Sequence, residues 1–220
     1  MGHQIVCCVT HTSRLTRQCA LAADRFLKAR RKLLAQEFNV FLESITESAS
    51  PDDDISLEEL IGEGESEELE FKSSLRWDME LGAVNKKLED VVLKTIAAFA
   101  NRNGGTLLIG VADDGSILGL ENDFKALGGA NKDKYQLHLI NLLKKNFGDA
   151  FAATKVKVAF PELADSEICQ IDVSPANKAV FLKLADKAGQ PREFFYVRSG
   201  NSSQELSSSE TQEYCAERFG

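Results

Sequence analysis

Apolar and polar positions along the chain switch repeatedly between helical and strand periods. Leu69, Glu70, Phe71, Lys72 and Ser73 alternate apolar and polar, the period-two pattern of a half-buried strand with Leu69 and Phe71 toward a core. Leu88, Val91, Val92, Thr95, Ile96 and Phe99 recur at helical spacing, so that segment predicts a helix laying one stripe on a sheet. Gly104 and Gly105 follow, and glycine accepts the left-handed conformation that ends a helix. Leu107 to Val111 is a near-continuous apolar run, the mark of a strand buried on both faces. Asp113-Asp114-Gly115 signals a tight turn before a second strand from Ile117 to Leu120. Farther on, Tyr135, Leu139, Leu142 and Leu143 place a helix over Lys132 to Asn146. Thr154 to Phe160 and Glu167 to Val173 alternate well and read as neighbouring strands, with two more at Lys178 to Leu182 and Phe194 to Arg198. Ser207 or Ser208 caps a final helix ending near Phe219. Trp77 to Asn85 carries no strong signal. The mixture of hairpins and crossovers predicts an α+β fold with a mixed β-sheet flanked by helices.

Ahead of this region, a helical pattern runs from Thr12 or Ser13 to about Ser48, with an apolar stripe that includes Phe26, Phe38, Phe41 and Ile45. Arg14, Arg17, Arg25, Lys28, Arg30, Arg31 and Lys32 make it basic, and such a run reads first as the solvated face of an ordinary helix. The acidic, proline-containing stretch from Ala49 to Asp54 marks a boundary. It divides the chain into a basic helical extension with its linker, residues 1–55, and a domain over residues 56–220. Ser56 then caps a short helix, Leu57 to Ile61, with Glu59 as the reaching carboxylate of a capping box.

The 220-residue chain has ample length for a buried core, and its formal charge of -8 argues against indiscriminate coating of nucleic acid. A local basic groove remains compatible with that charge. No apolar run approaches a membrane span, and the N-terminal residues lack the apolar core of a signal peptide, which points to a cytoplasmic protein without a membrane partner. The five cysteines form no metal-ligand spacing and read as reduced thiols.

Three carboxylates stand at predicted strand ends. Glu70 lies on the first strand, Glu65 just before it, and Asp113 after the strand Leu107 to Val111. Neighbouring strands bring them to one sheet end, where a cation must neutralise them, and oxygen ligands of this kind suit Mg²⁺ or Mn²⁺. Lys72 shares the polar face with Glu70, the arrangement in which a lysine positions an attacking water. The bland reading is surface glutamates and an ordinary Asp-Asp-Gly turn. Two loops rich in small and amide residues, Asn101 to Gly105 and Arg198 to Ser203, are candidate phosphate cradles through Asn101, Arg198 and Asn201. Simple turn chemistry is the alternative for both. Lys155 and Lys157, on one face of a predicted strand, are candidates for a nucleic-acid groove, and Phe194, Phe195 and Tyr196 for base stacking. No G-x-x-x-x-G-K-[ST] loop is present.

ESEELEFKSS (Glu65 to Ser74), AFANRNGGTLLIGVADDG (Ala98 to Gly115) and FFYVRSGNSS (Phe194 to Ser203) resemble the Schlafen-type AlbA-like domain family. The resemblance covers about Leu57 to Gly220 and leaves the first fifty-odd residues uncovered. It implies a nucleic-acid-binding domain, and in its nuclease-active members a metal-dependent RNase or DNase, with RNA expected ahead of DNA as the substrate here. Matched residue by residue, it implies Glu65, Glu70 and Asp113 as the catalytic and metal-binding carboxylates. Ala112 departs from the pattern, standing where an acidic residue often does, so Asp113 and Asp114 are interchangeable at this stage. The competing readings are a non-catalytic DNA-binding, regulatory or assembly module, and a nucleotide (ATP)-binding module without a P-loop. Because relatives pair two lobes, a homodimer or a partner-protein contact through the N-terminal helix is expected.

Overall fold

A computed structural model describes residues 30, 56–129, 131–186 and 188–220. The basic helical pattern over 12–48, its role as a dimer clasp, the linker at 49–54 and Cys7, Cys8 and Cys19 lie outside the described residues, Arg30 excepted.

Four strands form a mixed sheet in the spatial order β1 (Leu69–Lys72), β4 (Gly105–Ile109), β8 (Cys169–Val173) and β5 (Val156–Ala159). β1 and β4 run parallel, and β8, which follows the two-residue pair β6 (Glu162–Leu163) and β7 (Ser166–Glu167), is antiparallel to both β4 and β5. The parallel step needs a crossover. The two-residue strands β2 (Trp77–Asp78) and β3 (Ala83–Val84) and the helix α2 (Lys87–Asn101) supply it. The fold is therefore α+β, with helices flanking a mixed sheet.

Leu107, Leu108 and Ile109 are all fully buried, because both faces of β4 are covered. On one face Leu107, Ile109, Ile171 and Val173 pack with α2 and with Tyr135, Leu139 and Leu143 of α4 (Lys132–Phe147). On the other, Leu69, Phe71 and Leu108 pack with Ile61 of α1 (Leu57–Glu63). The same covering explains why β1 departs from the half-buried expectation: Glu70 is buried along with Leu69 and Phe71. α1 begins as its sequence predicts, with the Ser56 hydroxyl accepting from Glu59 N at 3.2 Å and Ser56 N donating to Glu59 Oε2 at 3.0 Å.

Two glycines sit where the chain passes from α2 into β4 and leave no room for a side chain. A Cβ on Gly104 would lie 2.5 Å from the Val173 carbonyl oxygen, and one on Gly105 would lie 2.7 Å from both Glu68 O and the Phe99 ring. Gly104 also has φ 86, which favours glycine.

Two short helices go beyond the sequence-based expectation, α3 (Glu121–Ala126) and α5 (Asp149–Thr154). The strand expected over Ile117 to Leu120 reduces to a bridge between Val111 and Ile117, and Gly119 turns the chain away at φ 70. The strand expected at Lys178 to Leu182 is displaced to β9 (Leu182–Ala185), paired with β10 (Pro191–Phe194). The reason is a contact from far along the chain: both backbone polar groups of Val180 are taken by the Asn101 side chain. The run Phe194 to Arg198 divides, its second half forming β11 (Tyr196–Ser199) against β12 (Ser202–Glu205). The last helix, α6 (Ser208–Phe219), is capped by Ser207.

Candidate functional site

The ESEELEFK segment folds back on itself before β1, with Ser66 N donating to Leu69 O at 2.9 Å. That reversal brings Glu65 alongside β1, where its Oε1 accepts from Phe71 N at 2.9 Å. Lys72 Nζ stands 2.6 Å from Glu70 Oε1 and 3.9 Å from Glu65 Oε1. The other Glu70 oxygen, Oε2, accepts from Arg198 Nη1 at 2.8 Å. Glu65, Glu70 and Lys72 therefore do meet, and the residue that completes the group comes from β11, far along the chain.

Arg198 is 0% exposed. Its Nη2 donates to Ser66 O at 2.7 Å, its Nε donates to Glu67 O at 3.2 Å, and its guanidinium stands 4.9 Å from the centre of the Phe99 ring. A buried charge is tolerable only when paired and hydrogen-bonded, and Arg198 has both. It clamps the motif segment to β11, and in this conformation it has no face to offer a phosphate.

Asn101, also expected at a phosphate, is equally committed. Its Nδ2 donates to Val180 O and Tyr196 O, each at 2.9 Å, and its Oδ1 accepts from Val180 N at 2.8 Å. Asn201 sits exposed at the tip of the β11–β12 hairpin, next to Gly200 at φ 60. The RSGNSS stretch is thus built as a hairpin turn. Asp113 lies exposed on the turn after β4. Its neighbour Asp114 braces that turn, with Oδ1 accepting from Ser116 N at 2.9 Å; the Ser116 hydroxyl, and then this N–H, hold the Asp114 carboxyl below its ordinary value.

Lys157 is exposed on β5, opposite Asp172 in the register. Lys155 immediately precedes that strand and donates to Pro175 O at 2.7 Å. It also lines a cavity of about 420 Å³ with Lys178, Phe147, Phe151 and Phe181. A second cavity, of about 490 Å³, takes Lys145 and Lys183 together with Glu89 and Asp90. The two flank the C-terminal end of α4, Asn146 lining one and Phe147 the other. Burial pushes the Asp90 carboxyl above its ordinary value, against the pull of Lys94 and Lys145.

The Schlafen, AlbA_2 family matches residues 65–207, more than half of the chain. The chain belongs to the Schlafen AlbA_2 family. Among solved structures, it is similar to the DIP2311 protein from Corynebacterium diphtheriae, with a TM-score of 0.47 and 21% identity over 87% of this chain and 33% of that one. It is also similar to the N-terminal domain of a putative ATP-dependent DNA helicase RecG-related protein from Nitrosomonas europaea, with a TM-score of 0.34 and 20% identity over 64% of this chain and 82% of that one. The chain spans about a third of the length of the Corynebacterium protein. No curated protein matches it.

The metal implied by the resemblance would be held by the carboxylates of the AlbA_2 motif, where cationic side chains of the chain itself already stand. Two carboxylates, Glu65 and Glu70, share Lys72, and Glu70 is neutralised a second time by Arg198. Among the described residues no group of three or more His, Cys, Asp or Glu side chains is placed to hold an ion. Nor, among the described residues, is any helix long and apolar enough to cross a membrane.

Sequence reasoning missed two features. Asp123, 2% exposed, accepts from Ser74 Oγ at 2.7 Å and from the backbone N–H groups of Leu75, Arg76 and Trp77 at 2.8, 3.0 and 3.1 Å. It fixes the loop that leaves β1, and a lone aspartate in an unanticipated helix gave no signal. The Phe147, Phe151 and Phe181 lining was also missed. Phe147 and Phe151 are four apart on consecutive helices, which reads as core packing in a linear sequence.

Proposed function

We propose that this AlbA_2 domain binds nucleic acid through its phosphates, on the surface around the C-terminal end of α4. The observation that carries the reading is the placement of Lys145, Lys183, Lys155 and Lys178 in two flanking cavities of a chain whose net charge is -8. The cavity of Lys155 and Lys178 holds no carboxylate, and such local positive charge on an acidic protein favours a polyanion site over general adsorption. Family membership supports the same class of ligand. Contacts of this kind position a backbone and carry no base sequence.

Charge reversal tests the reading. Lys145→Glu/Lys183→Glu and Lys155→Glu/Lys178→Glu weaken binding of the full chain to RNA and DNA alike and lower the salt slope by about one per lysine. Lys132→Glu serves as the comparison, because Lys132 already holds Glu167 at 2.9 Å. Equal loss from all three variants, or no loss from any, contradicts the assignment of this surface.

A second reading, phosphodiester cleavage at Glu65, Glu70 and Asp113, rests on the convergence of two motif carboxylates on one ammonium. Incubation of structured RNA, single-stranded DNA and duplex DNA with Mn²⁺ or EDTA decides it. Cleavage that EDTA abolishes and that Glu65→Gln removes supports it, and intact substrates in every arm end it.

A further inference from the structure

We infer that the cavity between α5 and the segment 175–181 receives an unstacked base of a single-stranded nucleic acid, with Phe181 as the stacking face. The inference rests on the reading of this domain as a nucleic-acid binder and names the form of nucleic acid it prefers.

Phe181 is a large apolar side chain left 39% exposed. It stands between two cavities. On one side is the 420 Å³ cavity with Phe147, Phe151, Lys155 and Lys178, and on the other a cavity of about 410 Å³ with Arg192, Phe194 and Phe195. The ring does not float free: it leans on Phe195 with centroids 5.3 Å apart, which holds its orientation before any ligand arrives. Phe147 and Phe151 form a second aromatic pair, centroids 4.6 Å apart, at the wall of the first cavity. The lining of that cavity contains no aspartate or glutamate. An exposed aromatic ring, a preformed cavity beside it and two ammonium groups at its edge match the two parts of a nucleotide, a π-face and a phosphate.

Charge decides the occupant. An apolar peptide would fill the rings but leave Lys155 and Lys178 without an anion. A duplex would satisfy the lysines but keep its base faces stacked inside the helix. A single strand satisfies both, because its bases are free to turn outward. Lys155 spends one donor on Pro175 O and retains two more for a phosphate. The second cavity offers the next position along a strand, although Glu193 and Glu205 in its lining make it the poorer phosphate site.

The test compares a short oligothymidylate with a duplex of equal phosphate count, using the full chain and its Phe181→Leu, Phe181→Trp and Lys178→Glu variants. Phe181→Leu keeps the apolar bulk and removes the π-face. It weakens the oligothymidylate by about 5- to 100-fold and leaves the duplex within about twofold. Phe181→Trp keeps the affinity, and its added indole fluorescence is quenched by the oligothymidylate and not by the duplex. Lys178→Glu weakens both ligands. Partial exposure of Phe181 means that neither ring variant empties the core, and far-UV circular dichroism checks this directly. If Phe181→Leu binds the oligothymidylate as the natural chain does, or loses both ligands equally, the stacking proposal is overturned and the phosphate reading stands. If the natural chain binds the duplex alone, the proposal again fails by itself. If it binds neither ligand at low salt, both fail.

Discussion

Replacing Arg198 by alanine probes the clamp on which the motif segment depends. The guanidinium is wholly buried and holds Glu70 Oε2, Ser66 O and Glu67 O. Its removal strands one carboxylate oxygen and two carbonyls and leaves a cavity beside Phe99. Breaking a buried pair by deleting one partner costs about 3–5 kcal/mol. A domain of this size loses about 2–4 °C of Tm per kcal/mol, so Arg198→Ala lowers Tm by roughly 6–20 °C. Urea unfolding gives the free energy and thermal melts give the midpoint. Arg198→Lys keeps the charge without the planar fork and falls between the two. The double variant Glu70→Met/Arg198→Met lies closer to the natural chain than Arg198→Ala does, because no buried carboxylate is left without its guanidinium and the part-exposed Lys72 still faces Glu65. A cost below about 1 kcal/mol for Arg198→Ala refutes the clamp. Weakened nucleic-acid binding at unchanged stability would instead return Arg198 to the phosphate role that its sequence position suggested.

Two further outcomes follow from other buried or capping groups. Asp123→Ala leaves Ser74 Oγ and the Leu75 N–H without their acceptor, while the Arg76 and Trp77 N–H groups retain only Ser74 Oγ at 3.2 and 2.7 Å, at a cost of about 2–4 kcal/mol. Amide exchange then accelerates at Leu75, Arg76 and Trp77 before the rest of the sheet, and uniform acceleration would contradict a local role. The Glu210 carboxyl is held below its ordinary value of 4.5 by the Ser207 hydroxyl and then the Ser207 backbone N–H. Because the folded value is depressed, its support of α6 is present above 4.5 and is lost as pH falls through the folded value. NMR titration of Glu210 in the natural chain and in Ser207→Ala checks this; identical midpoints would refute the cap's contribution.

Local chemistry was legible in the sequence and long-range pairing was not. The Ser56–Glu59 capping box, the β4 run and the Asp-Asp-Gly turn each depend on neighbours within a few residues, so spacing reveals them. Glu65, Glu70 and Lys72 sit within one short motif, and their meeting was also readable. Glu70 and Arg198 are 128 residues apart, and nothing in either neighbourhood announces the other. Arg198 therefore read as a free cation in a loop, and Asn101 as a loop amide, when burial makes both structural. The displaced strand after Lys178 has the same origin: Asn101 takes the Val180 backbone from 79 residues away. Lys155 was visible as a charge, but the aromatic wall beside it exists only once α5 packs against the segment 175–181.

The most direct test of nucleic-acid binding through phosphates is the salt dependence of affinity for a single-stranded oligonucleotide, measured by fluorescence anisotropy on the full chain. Each phosphate neutralised contributes a slope of about -0.7 in log K against log salt for a single strand. Contacts from Lys145, Lys155, Lys178 and Lys183 predict a slope between about -2 and -3. A slope near zero, or no binding at low salt, would contradict the account.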